Sequence, residues 1–113
     1  LYTDDVVLVD PNAREMVNAD AFVGKAQARQ YYAAVLAAYP TWSFDIKEMH
    51  PTEKGFVMVY EGRDAGPVKA FLGVDVIELR KVKGQWRIAK LQGFYDRQPF
   101  FADEPKVEAT RAP

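Results

Sequence analysis

Three aspartates stand where a carboxyl group could move a proton. Asp10 closes the stretch "DVVLVDP". Val6 to Val9 suit a partly buried strand, and alternation puts Asp10 on the face of Val6 and Leu8. Pro11 then stops the ladder, because it brings no N–H. Asp-Pro commonly opens a turn, so Asp10 reads either as a turn residue or as a carboxylate aimed into a cavity from a rigid strand. Asp75, in "FLGVDVIEL", is in phase with Phe71, Gly73, Ile77 and Leu79, while Val76, Glu78 and Arg80 point the other way. A charge on an apolar strand face breaks simple patterning, and such breaks tend to fall at functional sites. Burial there disfavours the ionised form, and a neutral carboxylic acid can donate a hydrogen bond. The alternative is a buried aspartate paired with a lysine, a tyrosine or a backbone amide. Asp96, in "GFYDRQP", follows the last strand beside Arg97 and by itself reads as a solvated turn residue.

The bulk numbers narrow the chemistry. A chain of 113 residues fits one domain with one core. Net charge is −1, which argues against a nucleic-acid partner, since that would normally demand a basic face. There is no cysteine and one histidine, His50, so thiolate and histidine-based metal centres are excluded. Six Tyr, seven Phe and two Trp supply material for an apolar pocket. No apolar run approaches the roughly 20 residues a membrane span needs, and no export signal opens the chain, which gives a cytoplasmic expectation.

These residues need elements to hold them. After the first strand, residues 12–23 read as a long loop with room for a short helical or extended piece. In "KAQARQYYAAVLAAY" Ala28, Tyr32, Val35, Leu36 and Tyr39 recur at helical spacing, and Pro40 ends the helix. Four strands follow: "WSFDIKE", "GFVMVYE", "VKAFLGVDVIELR" and "QWRIAKLQGFY". The last changes phase midway, which predicts a β-bulge near Ala89–Lys90 and a bend in the sheet. "EKG" and "KVKG" mark hairpin turns. Residues 98–113 lack periodicity and read as a tail, with Phe100 and Phe101 available to dock on the body. The layout is α+β: one domain over residues 1–97, with a bent, mostly antiparallel sheet folding over a helix to leave an internal pocket.

The pattern resembles the cone-shaped superfamily of nuclear transport factor two, ketosteroid isomerases and SnoaL-like polyketide cyclases. "LYTDDVVLVDP" is similar to the isomerases' strand entry, "GKAQARQYYAAVL" to the helix after it, and "GVDVIELRKVKGQWRI" to the hairpin carrying a second aspartate. The resemblance covers about residues 1–97 and implies that the family's first helix would precede residue 1. Carried over, Asp10 falls on the isomerases' general base, Asp75 on their neutral oxyanion donor, and Tyr32 on a tyrosine supporting the oxyanion network. Asp96 falls on the cyclases' acid/base. Tyr32, Phe71 and Trp86 are expected to bind substrate. Limonene-epoxide hydrolases share the fold and use an Asp-Arg-Asp set. Here Gly73 stands where the arginine is wanted, which sets that chemistry aside.

The expected function is proton transfer on a small apolar carbonyl compound, steroid-like or polyketide-like. The alternatives are aldol cyclisation using Asp96, or a non-catalytic ligand-binding or dimerisation domain. No metal, nucleotide or flavin is implied. The resemblance implies a homodimer through the outer sheet face, and apolar residues on both faces of strands 56–60 and 70–76 agree with that.

Overall fold

The computed structural model describes residues 1–65 and 68–95. The expectations for Asp96, Phe100, Phe101 and the tail lie outside the described residues.

Eight elements follow one another: β1 (Tyr2–Val9), α1 (Ala13–Val17), β2 (Ala21–Val23), α2 (Gly24–Ala38), β3 (Ser43–Pro51), β4 (Gly55–Ala65), β5 (Val68–Val82) and β6 (Gln85–Tyr95). The strands form one sheet in the order β2-β1-β6-β5-β4-β3. All neighbours are antiparallel except β1 and β6. The sheet is curved and unclosed, so the fold is the α+β cone expected from the sequence. The segment after Pro11 contains both kinds of structure anticipated there, the short helix α1 and the three-residue strand β2.

Helix α2 begins abruptly at Gly24, whose φ of +86° lets β2 turn straight into the helix. It ends where the Tyr39 N–H donates to the Val35 carbonyl at 2.8 Å, just before Pro40. The helix packs chiefly on β1 and β2. Its inward stripe is therefore Ala28, Tyr31, Tyr32 and Val35, and Leu36, expected on that face, is 55% exposed. The stripe leans toward Tyr31 because the sheet edge it meets lies on that side. The core is small: Val6, Leu8, Ala13, Phe22 and Ala28 are buried, and Phe22 stacks on Tyr31 with ring centres 4.5 Å apart. This core fills only the β1–β2 end of the cone. The concave face of β3 to β6 is left to wall a cavity.

Two devices shape that wall. The first is a register slip between β5 and β6: Glu78 pairs with Lys90 and Leu79 with Ile88, so Ala89 is the extra residue. This is the bulge the phase change predicted. It lets Ile88 and Leu91, three apart, both face the cavity, which an unbroken strand would forbid. The second is a pair of glycine–aromatic contacts, Gly62 opposite Phe71 and Tyr60 opposite Gly73. A Cβ on Gly62 would lie 2.3 Å from the Phe71 ring, and one on Gly73 would lie 2.2 Å from the Tyr60 ring. Each ring lies over its glycine, and the two rings meet nearly edge-on, 6.3 Å apart at 83°. Gly73→Ala should therefore destabilise the protein by about 1–3 kcal/mol, as overpacking does. Urea unfolding checks this; an unchanged midpoint would show that Tyr60 yields freely. The same contact leaves no room for an arginine at position 73.

The β5–β6 hairpin closes through Lys83 and Gly84, with φ of +50° and +80°, between the paired Val82 and Gln85. Both residues are left-handed, as a two-residue type I′ loop requires. Among the described residues, no helix is long and apolar enough to cross a membrane.

Candidate active site

A cavity of about 410 Å³ lies between α2 and the concave sheet face, within the size range of small-molecule sites. Asp10 and Asp75 both line it.

Asp10 performs both roles that its sequence left open. Its Oδ1 accepts the Asn12 backbone N–H at 2.8 Å, which makes the Asp-Pro turn. Its Oδ2 accepts the Tyr31 hydroxyl at 3.0 Å inside the cavity. Asn12 in turn donates its side-chain amide to the Tyr95 hydroxyl at 2.8 Å and to Tyr31 at 3.4 Å. The carboxylate is thus held from α2 on one side and from its own turn on the other, with β6 reached through Asn12.

Asp75 comes from the middle of β5, opposite Met58 on β4 and Gly93 on β6. Gly93 is where the two acids converge. A Cβ there would lie 3.3 Å from Asp75 Oδ1 and 3.7 Å from Asp10 Oδ2, and the sum of those distances is the most that can separate the oxygens. The Asp75 carboxyl has no hydrogen-bond partner among the described residues. Burial, and after it the charge of Asp10, pushes its pKa up from 3.8 to about 6. The surrounding phenols are pushed above their ordinary range as well. Burial dominates in each; Asp10 adds to it at Tyr31, the Tyr2 hydroxyl at Tyr32, and Asp75 at Tyr60. All three stay neutral and keep a proton to donate.

Of the residues expected to bind substrate, Tyr32 and Phe71 line the cavity. The Tyr32 hydroxyl accepts from Tyr2 at 3.3 Å, and it is the neighbouring Tyr31 that bonds an acid. Trp86 is a correction. It shares a strand face with Ile88 but lies beyond the cavity, next to the Lys83–Gly84 turn, 64% exposed and with Lys81 Nζ 5.8 Å from its ring centre. Trp42, just before β3, is the tryptophan that lines the cavity. Sequence reasoning missed Asn12, Tyr31 and Tyr95. Adjacent tyrosines at 31 and 32 carried a signal, since a stripe wide enough for Tyr32 and Val35 can also take Tyr31. Nothing marked Asn12, whose partner is 83 residues away. No group of three His, Cys, Asp or Glu side chains placed to hold a metal occurs among the described residues.

An open cone with two acids inside an aromatic hollow defines a class, and comparison with known proteins gives the family. The SnoaL-like domain model matches residues 1–88, and the chain belongs to that family. Solved structures agree on the fold. A protein from Jannaschia sp. CCS1, assigned as a SnoaL-like polyketide cyclase, superposes with a TM-score of 0.66 at 15% identity, over 93% of this chain and 75% of that one. One from Agrobacterium tumefaciens C58, assigned as an isomerase of the SnoaL-like family, gives 0.64 at 18% identity, over 84% and 74%. AclR from Streptomyces galilaeus, assigned as a hydroxylase, gives 0.62 at 17%, over 97% and 71%. No curated protein matches the chain.

Proposed function

We propose that the cavity catalyses proton transfer beside the carbonyl of a small apolar compound. Asp10, ionised, removes a proton from the carbon next to the carbonyl. Asp75, protonated, donates a hydrogen bond to the enolate oxygen as charge develops there. The proton on Asp10 then returns to a carbon of the same enolate, so the compound is isomerised or exchanged and nothing is consumed. A placed general base is worth about 10²–10⁴ in rate, and an oxyanion donor about 3–4 kcal/mol. One observation carries this reading: Asp10, just past the end of β1, and Asp75 of β5 meet over Gly93 in one aromatic cavity, and burial favours the proton on Asp75. The isomerase and cyclase assignments of two structural neighbours support the class of chemistry.

The probe is 2-tetralone, a neutral apolar ketone with exchangeable protons beside its carbonyl. Its deuteration in D2O, followed by proton NMR, should run faster with the protein than in buffer alone. Binding without acceleration would select a ligand-binding role for the same cavity and end the catalytic one.

The opposite sheet face suits a second copy of the chain. Val57, Val59, Val74 and Val76 alternate with the cavity residues, and Leu72 and Phe94 beside them are 62% and 51% exposed. Ion pairs of Arg63 with Asp45 and Glu61, and of Lys90 with Glu78, flank this apolar strip. Leu72→Glu should shift a dimer to monomer in sedimentation, because it would bury a carboxylate against apolar side chains. A wild-type protein that sediments as a monomer would remove the proposal.

A further inference from the structure

The cavity is unusual in its charge. Two carboxyl groups open into it, and no Lys, Arg or His among the described residues lines it. Several described cations are engaged outside it: Lys25 with Asp4, Arg63 with Asp45 and Glu61, Arg80 with Asp5, Lys90 with Glu78. When both acids are ionised, two like charges share a partly buried space with no described counter-charge, which is an unfavourable arrangement. Asp75 is the more exposed to this cost, its carboxyl having no hydrogen-bond partner among the described residues.

The walls are largely aromatic. Along the concave face Trp42 and Phe44 are 5.7 Å apart, Phe44 and Tyr60 5.8 Å at 68°, and Tyr60 and Phe71 6.3 Å at 83°. The steep angles of the last two pairs present both ring faces and ring edges to one shared volume. Tyr60 lies over Gly73, two residues from Asp75 on the same strand, so a ring wall and a carboxylate are immediate neighbours. Tyr31 and Tyr32 close the opposite side from α2. Ring faces attract cations through their quadrupole, most strongly where water is excluded.

We propose that this cavity binds organic cations: compounds with an aromatic or alicyclic body and a protonated amine or quaternary ammonium group seated between the Asp10 and Asp75 carboxylates and the Tyr60 ring. The body fills the apolar remainder of the hollow toward Trp42 and Phe44. The cation supplies the counter-charge the protein's own described side chains withhold. This goes beyond the proton-transfer reading and does not depend on it, since it concerns the charge of what binds and not a reaction. A ketone engages Asp75 as an acid; an ammonium engages it as a carboxylate.

The test compares phenyltrimethylammonium with tert-butylbenzene, its uncharged isostere, by NMR titration of the wild-type protein at pH 8. The cation should bind roughly tenfold or more tightly than the isostere. In Asp10→Asn and Asp75→Asn the affinity for the isostere should hold while the preference for the cation shrinks, most in the double variant. Equal or tighter binding of tert-butylbenzene to the wild type would overturn the proposal. So would a cation preference that survives unchanged in the double variant. Neither result bears on 2-tetralone exchange, so the two readings stand or fall separately.

Discussion

Asp10→Asn is expected to slow the deuteration of 2-tetralone by about 10²–10⁴, with the loss in kcat and little change in KM. Asparagine is the right replacement because Asp10 is also a turn residue. The amide oxygen of an asparagine can still accept the Asn12 N–H that now reaches Oδ1 at 2.8 Å, so the turn and the strand end survive. The amide nitrogen would face Tyr31, whose hydroxyl oxygen can accept where it previously donated. Shape and hydrogen bonds persist, and only the basic lone pair is lost. Asp10→Ala would remove both hydrogen bonds and confuse a loosened loop with lost chemistry. An Asp10→Asn protein that exchanges 2-tetralone at the wild-type rate would show that Asp10 is a turn residue and nothing more.

The legible and illegible parts of this site divide along a physical line. Strand alternation is local, so Asp75, Phe71 and Ile77 could be placed on one face from "FLGVDVIEL" alone, and all three line the cavity. The β6 bulge was legible for the same reason, as a change of phase within eleven residues. Trp86 marks where that logic stops. Alternation gives the face a residue takes, but not whether the facing layer extends far enough to cover it. Helix α2 covers the β1–β2 end of the sheet, and residue 86 stands at the tip of a hairpin beyond it. The network around Asp10 was illegible for a further reason. Asn12 and Tyr95 are joined at 2.8 Å because β1 and β6 lie side by side in parallel, and that pairing closes only after the whole chain between them has folded. Gly93 carries the same lesson. Its importance lies in the side chain it lacks: its small size leaves the space in which two acids from separate strands approach one another.

Asp75 yields the second large effect, and it has opposite signs for activity and for stability. Asp75→Ala should cost about 10²–10³ in 2-tetralone exchange, the usual loss for an oxyanion donor. Yet the ionised carboxyl is disfavoured where it stands. Its pKa rises on folding from 3.8 to about 6, so the folded state holds the proton more tightly than the unfolded one. Its contribution to stability is full below pH 3.8 and is lost as pH rises through about 6, after which it changes no further. Asp5, held low by the Arg80 guanidinium, works the other way and loses its contribution as the medium turns acidic, so only a difference between variants isolates Asp75. Asp75→Asn, which cannot ionise, should gain stability relative to wild type between pH 4 and 6 and keep that margin above it; urea unfolding across that range reads the difference. Activity should follow the same group. Wild-type kcat/KM should fall about tenfold per pH unit above the free protein's Asp75 pKa, as the donor proton is lost, whereas Asp75→Asn retains an amide donor and should be flat there. A parallel fall in both proteins would assign the titration to another group, and a wild-type profile without a fall near pH 6 would leave Asp75 no role as the donor.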